Sequence, residues 1–161
     1  MSYSKKVLDL FNKPRNAGKM KDYDGIGKVG NPVCGDVMWL YIKVKDEVIK
    51  DITFETFGCI AALASSSIIT DMVKGRSIDD ALKIVKEDVL NELDGLPPVK
   101  VHCSVLSVDA LQEAIYNYLS KNNKTISESL EKKHQELEIE RKQVEEKYKD
   151  WVQKEEELHE E

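Results

Sequence analysis

The stretch DVMWLYIKVKDEVIKDITFETFGCIAALASSSIITDMVKG, residues 36–75, changes its hydrophobic period halfway along. Apolar side chains alternate with others over residues 36–45 and again over 48–57, which predicts two strands joined at Asp46-Glu47. Residues 59–75 are instead small and apolar nearly all round, as in a helix buried against a sheet. The stretch therefore predicts a β-hairpin followed by a buried helix that ends at Gly75.

The segment before the hairpin predicts one short helix and then irregular chain. Ser4 can cap a helix that stops before Pro14. Residues 15–33 contain four glycines and one proline, so we expect a loop or an irregular edge strand there. Within it, GIGKVG at 25–30 matches the letters of the dinucleotide fingerprint. We reject that function because the fingerprint needs a strand before it and a helix after it, and predict a flexible loop.

Two more helices are expected after the hairpin unit. Ser77 and Asp80 resemble a capping box that opens a helix over 77–90. LPPVK at 96–100 should be extended because proline disfavours helix both at its own position and just before it. The residues after Cys103 again have a helical pattern.

Length and composition favour one domain with an appendage. The chain has 161 residues, is 41% hydrophobic and 34% charged, and carries a net charge of −6. It has no run near the roughly 18 apolar residues that span a bilayer, and its N-terminus lacks a signal-peptide pattern. We therefore expect a soluble cytoplasmic protein, or the mature form of an organellar one, without a membrane partner. The negative charge also disfavours nucleic-acid binding.

Most of that charge lies near the C-terminus. Residues 131–161 contain 12 acidic and 7 basic side chains, so they account for −5 of the −6. We accordingly divide the chain into residues 1–122 and a charged helical tail, residues 123–161. An apolar residue recurs there every seven positions, at Leu130, Leu137, Val144, Trp151 and Leu158. The companion heptad position is polar, which favours a solvated or weakly packing helix over a dimerising coiled coil.

The three cysteines each lie at the boundary of a predicted element. An odd number of widely spaced cysteines indicates reduced thiols rather than disulfides. Cys59 and Cys103 begin helices, where a thiolate is favoured. Gly35 would let Cys34 and Asp36 face one point. Any one cysteine could be a small buried hydrophobe, but three boundary positions favour a shared site.

The spacing limits the kind of site. A structural zinc knot uses close cysteine pairs, and the sequence has none. His102 and Cys103 are neighbours in what should be extended chain, so they would point apart and are no intrinsic dyad. Thiolates suit zinc or iron–sulfur chemistry, and one carboxylate among them would make a cluster labile. Lability suits a donor of clusters better than a redox carrier.

Four ordered motifs resemble the IscU/NifU-type iron–sulfur cluster assembly scaffolds over roughly residues 1–120. They are Tyr3 with Pro14-Arg15-Asn16, then NPVCGDVM at 31–38, then FGC at 57–59 followed by ASSS at 64–67, and finally LPPVKVHCS at 96–104. The resemblance implies an α+β fold, a small three-stranded antiparallel sheet packed by helices, to which this chain adds its C-terminal charged helical extension.

The resemblance also implies a function and a ligand set. The chain would be a non-enzymatic scaffold on which a transient [2Fe-2S] cluster forms from Fe²⁺ and sulfur, with Zn²⁺ as an occupant of the resting form. The implied metal and cluster ligands are Cys34, Asp36, Cys59 and Cys103, with His102 as an auxiliary ligand. Cys103 would also accept the sulfur. His102 and the lack of a long insertion between Cys59 and Cys103 favour the IscU branch over the zinc-dependent SufU branch.

The implied partners are a cysteine desulfurase, apo iron–sulfur proteins, and an Hsp70 with its J-type co-chaperone. The chaperone segment would be Leu96, Pro97, Pro98, Val99 and Lys100. The tail has no family role, so we hypothesise that it docks a partner or forms a homo-oligomer. The alternative function is a zinc-binding thiol protein that accepts sulfur from a desulfurase or regulates it.

Overall fold

The computed structural model describes residues 3–32, 35–147, 149 and 157–158. It is an α+β fold with an antiparallel sheet in the order β1-β2-β3, which confirms the expected fold class. The strands are β1 Gly25–Gly30, β2 Val37–Lys45 and β3 Val48–Phe57. The helices are α1 Lys5–Asn12, α2 Ile60–Val73, α3 Ile78–Ala81, α4 Lys86–Glu92, α5 His102–Lys121 and α6 Glu128–Lys147, with a 3₁₀ turn at Pro98–Lys100.

The hairpin of β2 and β3 forms as the alternation predicts. Leu40 pairs with Phe54 across the ladder, and both side chains are buried on the inner face. Asp46 and Glu47 form the tip with φ of 54° and 61°, the left-handed pair that a two-residue hairpin turn requires. One face of the hairpin thus forms one side of the hydrophobic core.

Helix α2 lies in the core and is buried on nearly all sides. Its residues from Ala64 to Ser67 are all fully buried, as their small size allows. Gly75, just beyond its end, has φ of +88°, so the predicted stop is confirmed. Ser4 likewise caps α1 by accepting a hydrogen bond from the Val7 amide.

The prediction of a flexible loop at residues 25–30 is wrong. This segment is strand β1, which lies at one edge of the sheet. Gly25 and Gly27 face α5, whose backbone lies directly against them. A Cβ on Gly27 would overlap the carbonyl oxygen of Ala110 and lie 2.6 Å from the amide nitrogen of Ala114. The glycines therefore serve close packing of strand and helix, and not chain flexibility.

Two other local predictions need correction. The single helix expected over 77–90 is two helices, because the Val85 amide donates to the Asp88 carboxylate at 2.9 Å and opens α4 anew. Ser77 does cap α3, as predicted. Pro97 is extended, but Pro98–Lys100 forms a 3₁₀ turn, since proline is tolerated at the first helical position.

The tail helix α6 is packed against its own domain and is not solvated on its heptad row. Leu130, Leu137 and Val144 are 7%, 3% and 1% exposed. The first two join the main core, while Val144 joins an apolar cluster on the outer face of the sheet. Trp151 lies outside the described residues, and Leu158 is exposed. Across the described ranges, no helix has the length and apolarity to cross a bilayer.

Candidate metal centre

Three side chains from separate parts of the sequence converge at the start of β2, α2 and α5. The Sγ atoms of Cys59 and Cys103 are 3.5 Å apart, and Cys103 Sγ is 3.9 Å from Asp36 Oδ2. One ligand atom of each residue lies within 4.8 Å of the other two. Both cysteines are free thiols. The arrangement offers two sulfurs and one carboxylate oxygen to a single metal ion or cluster.

Local backbone structure explains how Asp36 reaches this point. Gly35 has φ of +77° and its amide donates to the Asn31 carbonyl at 2.7 Å. The Asn31 amide donates in turn to the Asp36 carbonyl at 2.9 Å, so the chain reverses and returns Asp36 toward the sheet. Cys34, the fourth predicted ligand, lies outside the described residues.

Gly58 makes room for the carboxylate. A Cβ at this position would lie 3.2 Å from Asp36 Cγ and 2.8 Å from the Ala62 Cβ. The first distance is a tight contact and the second an overlap. In the FGC motif, Cys59 thus places a thiol at the N-cap of α2. Gly58, which has no side chain, lets Asp36 approach that thiol.

Burial separates the two thiols. Cys103 is fully buried beneath Ala61 and Ala62, whereas Cys59 is only partly buried. Cys59 is the N-cap residue of α2, so its sulfur lies beside the free amides of the first turn. Cys59 is therefore the more accessible sulfur of the pair.

The environment favours the thiolate of Cys59. Its hydrogen bond with Cys103 is the largest cause that lowers the Cys59 pKa, to about 5, and the Ala62 amide and the Lys100 charge act in the same direction. Burial and the Asp36 charge oppose this lowering. The Cys59 thiolate in turn is the main cause that raises the pKa of Lys100. A deprotonated sulfur is the form that binds metal.

We expect alkylation of Cys59 in the metal-free protein to follow this lowered pKa. Its rate with iodoacetamide should be level at neutral pH and fall as the pH drops through about 5, because only the thiolate reacts. An ordinary thiol would instead lose reactivity below about pH 8.5. Mass spectrometry of the Cys59 peptide over pH 4–9 gives the midpoint.

The matched variant is Cys103→Ala, which removes the hydrogen bond to the Cys59 sulfur. The pH midpoint of Cys59 alkylation should rise in this variant. A midpoint near pH 8.5 in the unmodified sequence would show that Cys59 has no such environment.

His102 lies next to Cys103 in space as well as in sequence. Its Nε2 is 3.5 Å from Cys103 Sγ. The expectation that the two would point apart is wrong, because α5 begins at His102 and places both in its first turn. His102 thus lies beside one member of the group formed by Asp36, Cys59 and Cys103, and its role as an auxiliary ligand stays a prediction.

The segment of residues 96–100 is a surface turn that leads into α5. Val99 is 68% exposed, and Lys100 is the cation beside Cys59. The sequence assigned Lys100 only to partner binding, so this electrostatic contact with the thiol was missed. The sequence indicates this contact only in that Lys100 lies three residues before Cys103, a candidate ligand.

A second group, Glu113, His134 and Glu138, joins α5 to α6 and was also missed. Its only sequence signal is the spacing of four between His134 and Glu138 on one helix face. His134 Nδ1 is 2.8 Å from Glu113, and Glu138 is 3.1 Å from Arg141. Each carboxylate already has a nitrogen partner: Glu113 contacts His134 across the two helices, and Glu138 contacts Arg141 within α6.

Comparison with known proteins gives a consistent result. The sequence model of the NifU-like N terminal domain family matches residues 2–125. The chain is 58% identical over 122 residues to the iron-sulfur cluster assembly scaffold protein IscU 1 of Archaeoglobus fulgidus, covering 76% of this chain and 80% of that protein. It is 52% identical over 125 residues to the IscU scaffold protein of Escherichia coli strain K12, covering 75% and 97%.

A solved structure agrees in fold. The N-terminal part of a nitrogen-fixing NifU-like protein from Brucella abortus aligns with a TM-score of 0.60 at 23% identity, over 73% of this chain and 94% of that one. Helix α6 begins at Glu128, beyond the last residue of the family match.

Proposed function

The chain belongs to the NifU-like N terminal domain family, and on that premise we propose that it is a scaffold for iron–sulfur cluster assembly. It would hold a [2Fe-2S] cluster as cargo and pass it to apo-proteins. The observation that carries the proposal is the convergence of two thiols and one carboxylate within 4.8 Å. Sulfur ligands favour iron–sulfur chemistry, and the harder oxygen ligand gives a point where the cluster can be released.

We assign four ligands from this chain, namely Cys34, Asp36, Cys59 and Cys103, with His102 as the auxiliary position. Cys59 would bind iron first, because its thiolate is present at neutral pH and its sulfur is partly accessible. Lys100 supports this step by its charge, which favours the anionic site.

Sulfur would arrive on Cys103 from a cysteine desulfurase. The Cys103 thiolate attacks the outer sulfur of the desulfurase persulfide, the sulfur–sulfur bond breaks, and the desulfurase thiolate leaves. A low-potential electron-transfer protein must then supply two electrons to reduce the sulfane sulfur to sulfide. Because Cys103 is buried under Ala61 and Ala62, the start of α2 has to move aside for the transfer.

Residues 96–100 are the segment that we propose for an Hsp70 and its co-chaperone. Exposed Val99 between Pro98 and Lys100 offers an apolar side chain for such a contact. Since this turn leads directly into the first residues of α5, pulling on it would disturb His102 and Cys103. Chaperone binding could in this way loosen the cluster.

The test is anaerobic reconstitution with ferrous iron, cysteine and a catalytic amount of desulfurase. We expect sulfide-to-iron charge-transfer absorption, about two iron and two sulfide per cluster, and transfer of the absorption to an apo-ferredoxin. The Cys59→Ser/Cys103→Ser variant is the matched control and should show none of this. Tight zinc binding without these bands, even after zinc is removed, would instead establish the zinc-dependent sulfur-acceptor function.

A further inference from the structure

Helix α6 is attached to α5 by polar contacts along its first half. Lys133 Nζ is 3.3 Å from the Asp109 carboxylate, and His134 is 2.8 Å from Glu113. The His134 ring also stacks on Tyr116, with centroids 3.8 Å apart. The Asp109 and Glu113 side chains are only 11% and 5% exposed, so these contacts fix the position of the helix on α5.

The second half of α6 reaches the outer face of the sheet. There Val144 is 1% exposed and belongs to the apolar cluster of Val37, Trp39 and Tyr41. Val144 also lies against Gly30, where an added Cβ would be 3.0 Å from Val144 Cγ2. The lack of a side chain at Gly30 therefore leaves the space in which Val144 packs.

Gly30 and Val37 are the residues on either side of the turn that presents Asp36. Gly30 ends β1, and Val37 begins β2 directly after Asp36. The two residues pair across the ladder, so they close the base of the turn. Val144 packs on this base, on the face of the sheet opposite to α5.

We propose that α6 positions Asp36 by holding the base of this turn, and that Val144 is its positioning residue. A firmly held base keeps the carboxylate beside Cys59 and Cys103. Displacing the end of α6 would loosen the turn and speed release of the cluster. The effect on the cluster depends on the proposed scaffold function, whereas the effect on the turn does not.

The first measurement is amide hydrogen exchange on the metal-free full-length chain. Val144→Ala should speed exchange of the Asn31 and Gly35 amides, which donate within the turn, by about five-fold, the factor that a loss near 1 kcal/mol produces. Ile139→Ala, on the exposed side of the same helix, should leave these amides unchanged. Equal exchange in Val144→Ala and the unmodified chain would overturn the proposal.

Leu130→Ala separates positioning from general stability. Leu130 is buried at the other end of α6, fourteen residues or roughly 21 Å away along the helix. It should lower the unfolding midpoint while changing turn exchange less than about two-fold. If it speeds the Asn31 and Gly35 amides as much as Val144→Ala does, the effect is only a loss of overall stability, and the proposal fails.

A double variant tests the contact between Gly30 and Val144. Gly30→Ala alone should crowd Val144 and speed turn exchange, because the new Cβ meets the valine. Gly30→Ala combined with Val144→Ala should speed exchange less than the two single changes multiplied together, because two of the three Val144 carbons that crowd the new Cβ are removed with the valine methyl groups. Additive loosening in the double variant would contradict a direct contact.

Cluster loss to a chelator gives the functional readout. Cluster should leave Val144→Ala about five-fold faster than the unmodified chain, and Leu130→Ala close to the normal rate. If the unmodified chain forms no cluster, the scaffold function fails, while the exchange experiments still decide the positioning role. If cluster loss is unchanged although the turn has loosened, the turn does not control release.

Discussion

Gly27→Ala is expected to lower the free energy of unfolding by about 3 kcal/mol or more, and the melting temperature by about 10 °C. The added methyl group would overlap the Ala110 carbonyl oxygen and press on the Ala114 amide, both of which are backbone atoms of α5. Neither can move aside alone, so the helix must separate from β1. Urea unfolding followed by circular dichroism measures the loss.

The sign of this prediction distinguishes packing from flexibility. In a flexible loop, alanine would stabilise the protein by about 0.4–1 kcal/mol, because it restricts the unfolded chain. The matched control is Lys28→Ala, on the opposite face of the same strand, where the ammonium group lies 4.3 Å from the Trp39 ring centroid. Removing it should cost only about 1 kcal/mol. A stabilising Gly27→Ala would mean that α5 does not approach β1 this closely.

Strand β1 shows why part of the fold could not be predicted from the sequence. The hairpin and α2 follow from local patterns, since the pattern of each strand and of the helix lies within about 15 residues of sequence. The meaning of Gly25 and Gly27 depends instead on α5, which lies more than 80 residues further along the chain. A glycine-rich stretch is compatible with a loop or with close packing until its neighbour is known.

The tail presents the same difficulty in another form. A single apolar residue per heptad predicts that one narrow row will be buried, but not on which surface. Leu130, Leu137 and Val144 bury that row in their own domain. The polar residues at the companion heptad position also make contacts: His134 contacts Glu113 of α5, and Arg141 pairs with Glu138.

The candidate site was easier to anticipate than the fold around it. The predicted ligands that the structure describes lie at element boundaries, and boundaries can be read from turn residues and caps. Asp36, Cys59, His102 and Cys103 are near one another in the structure. The difference in burial between the two thiols depends on Ala61 and Ala62 from α2, so it could not be predicted from the positions of the cysteines in the sequence. Their roles as ligands remain predictions for experiment.

Asp36→Ala is expected to prolong the life of the reconstituted cluster about ten-fold, which corresponds to a barrier to cluster release that is higher by about 1.4 kcal/mol. A carboxylate oxygen is a hard ligand among sulfurs and exchanges readily, which opens a position for an incoming acceptor. Without it, His102 beside Cys103 can supply a softer imidazole that exchanges more slowly. The decay of visible absorption in the presence of chelator measures the lifetime.

Two variants isolate this mechanism. Asp51→Ala removes an exposed carboxylate that pairs with Lys74, so it controls for net charge and should leave the lifetime unchanged. Asp36→Ala/His102→Ala removes the substitute ligand and should shorten the lifetime again. If Asp36→Ala lost its cluster at the normal rate, Asp36 would not be an exchanging ligand. If the double variant were as long-lived as Asp36→Ala, the substitute could not be His102.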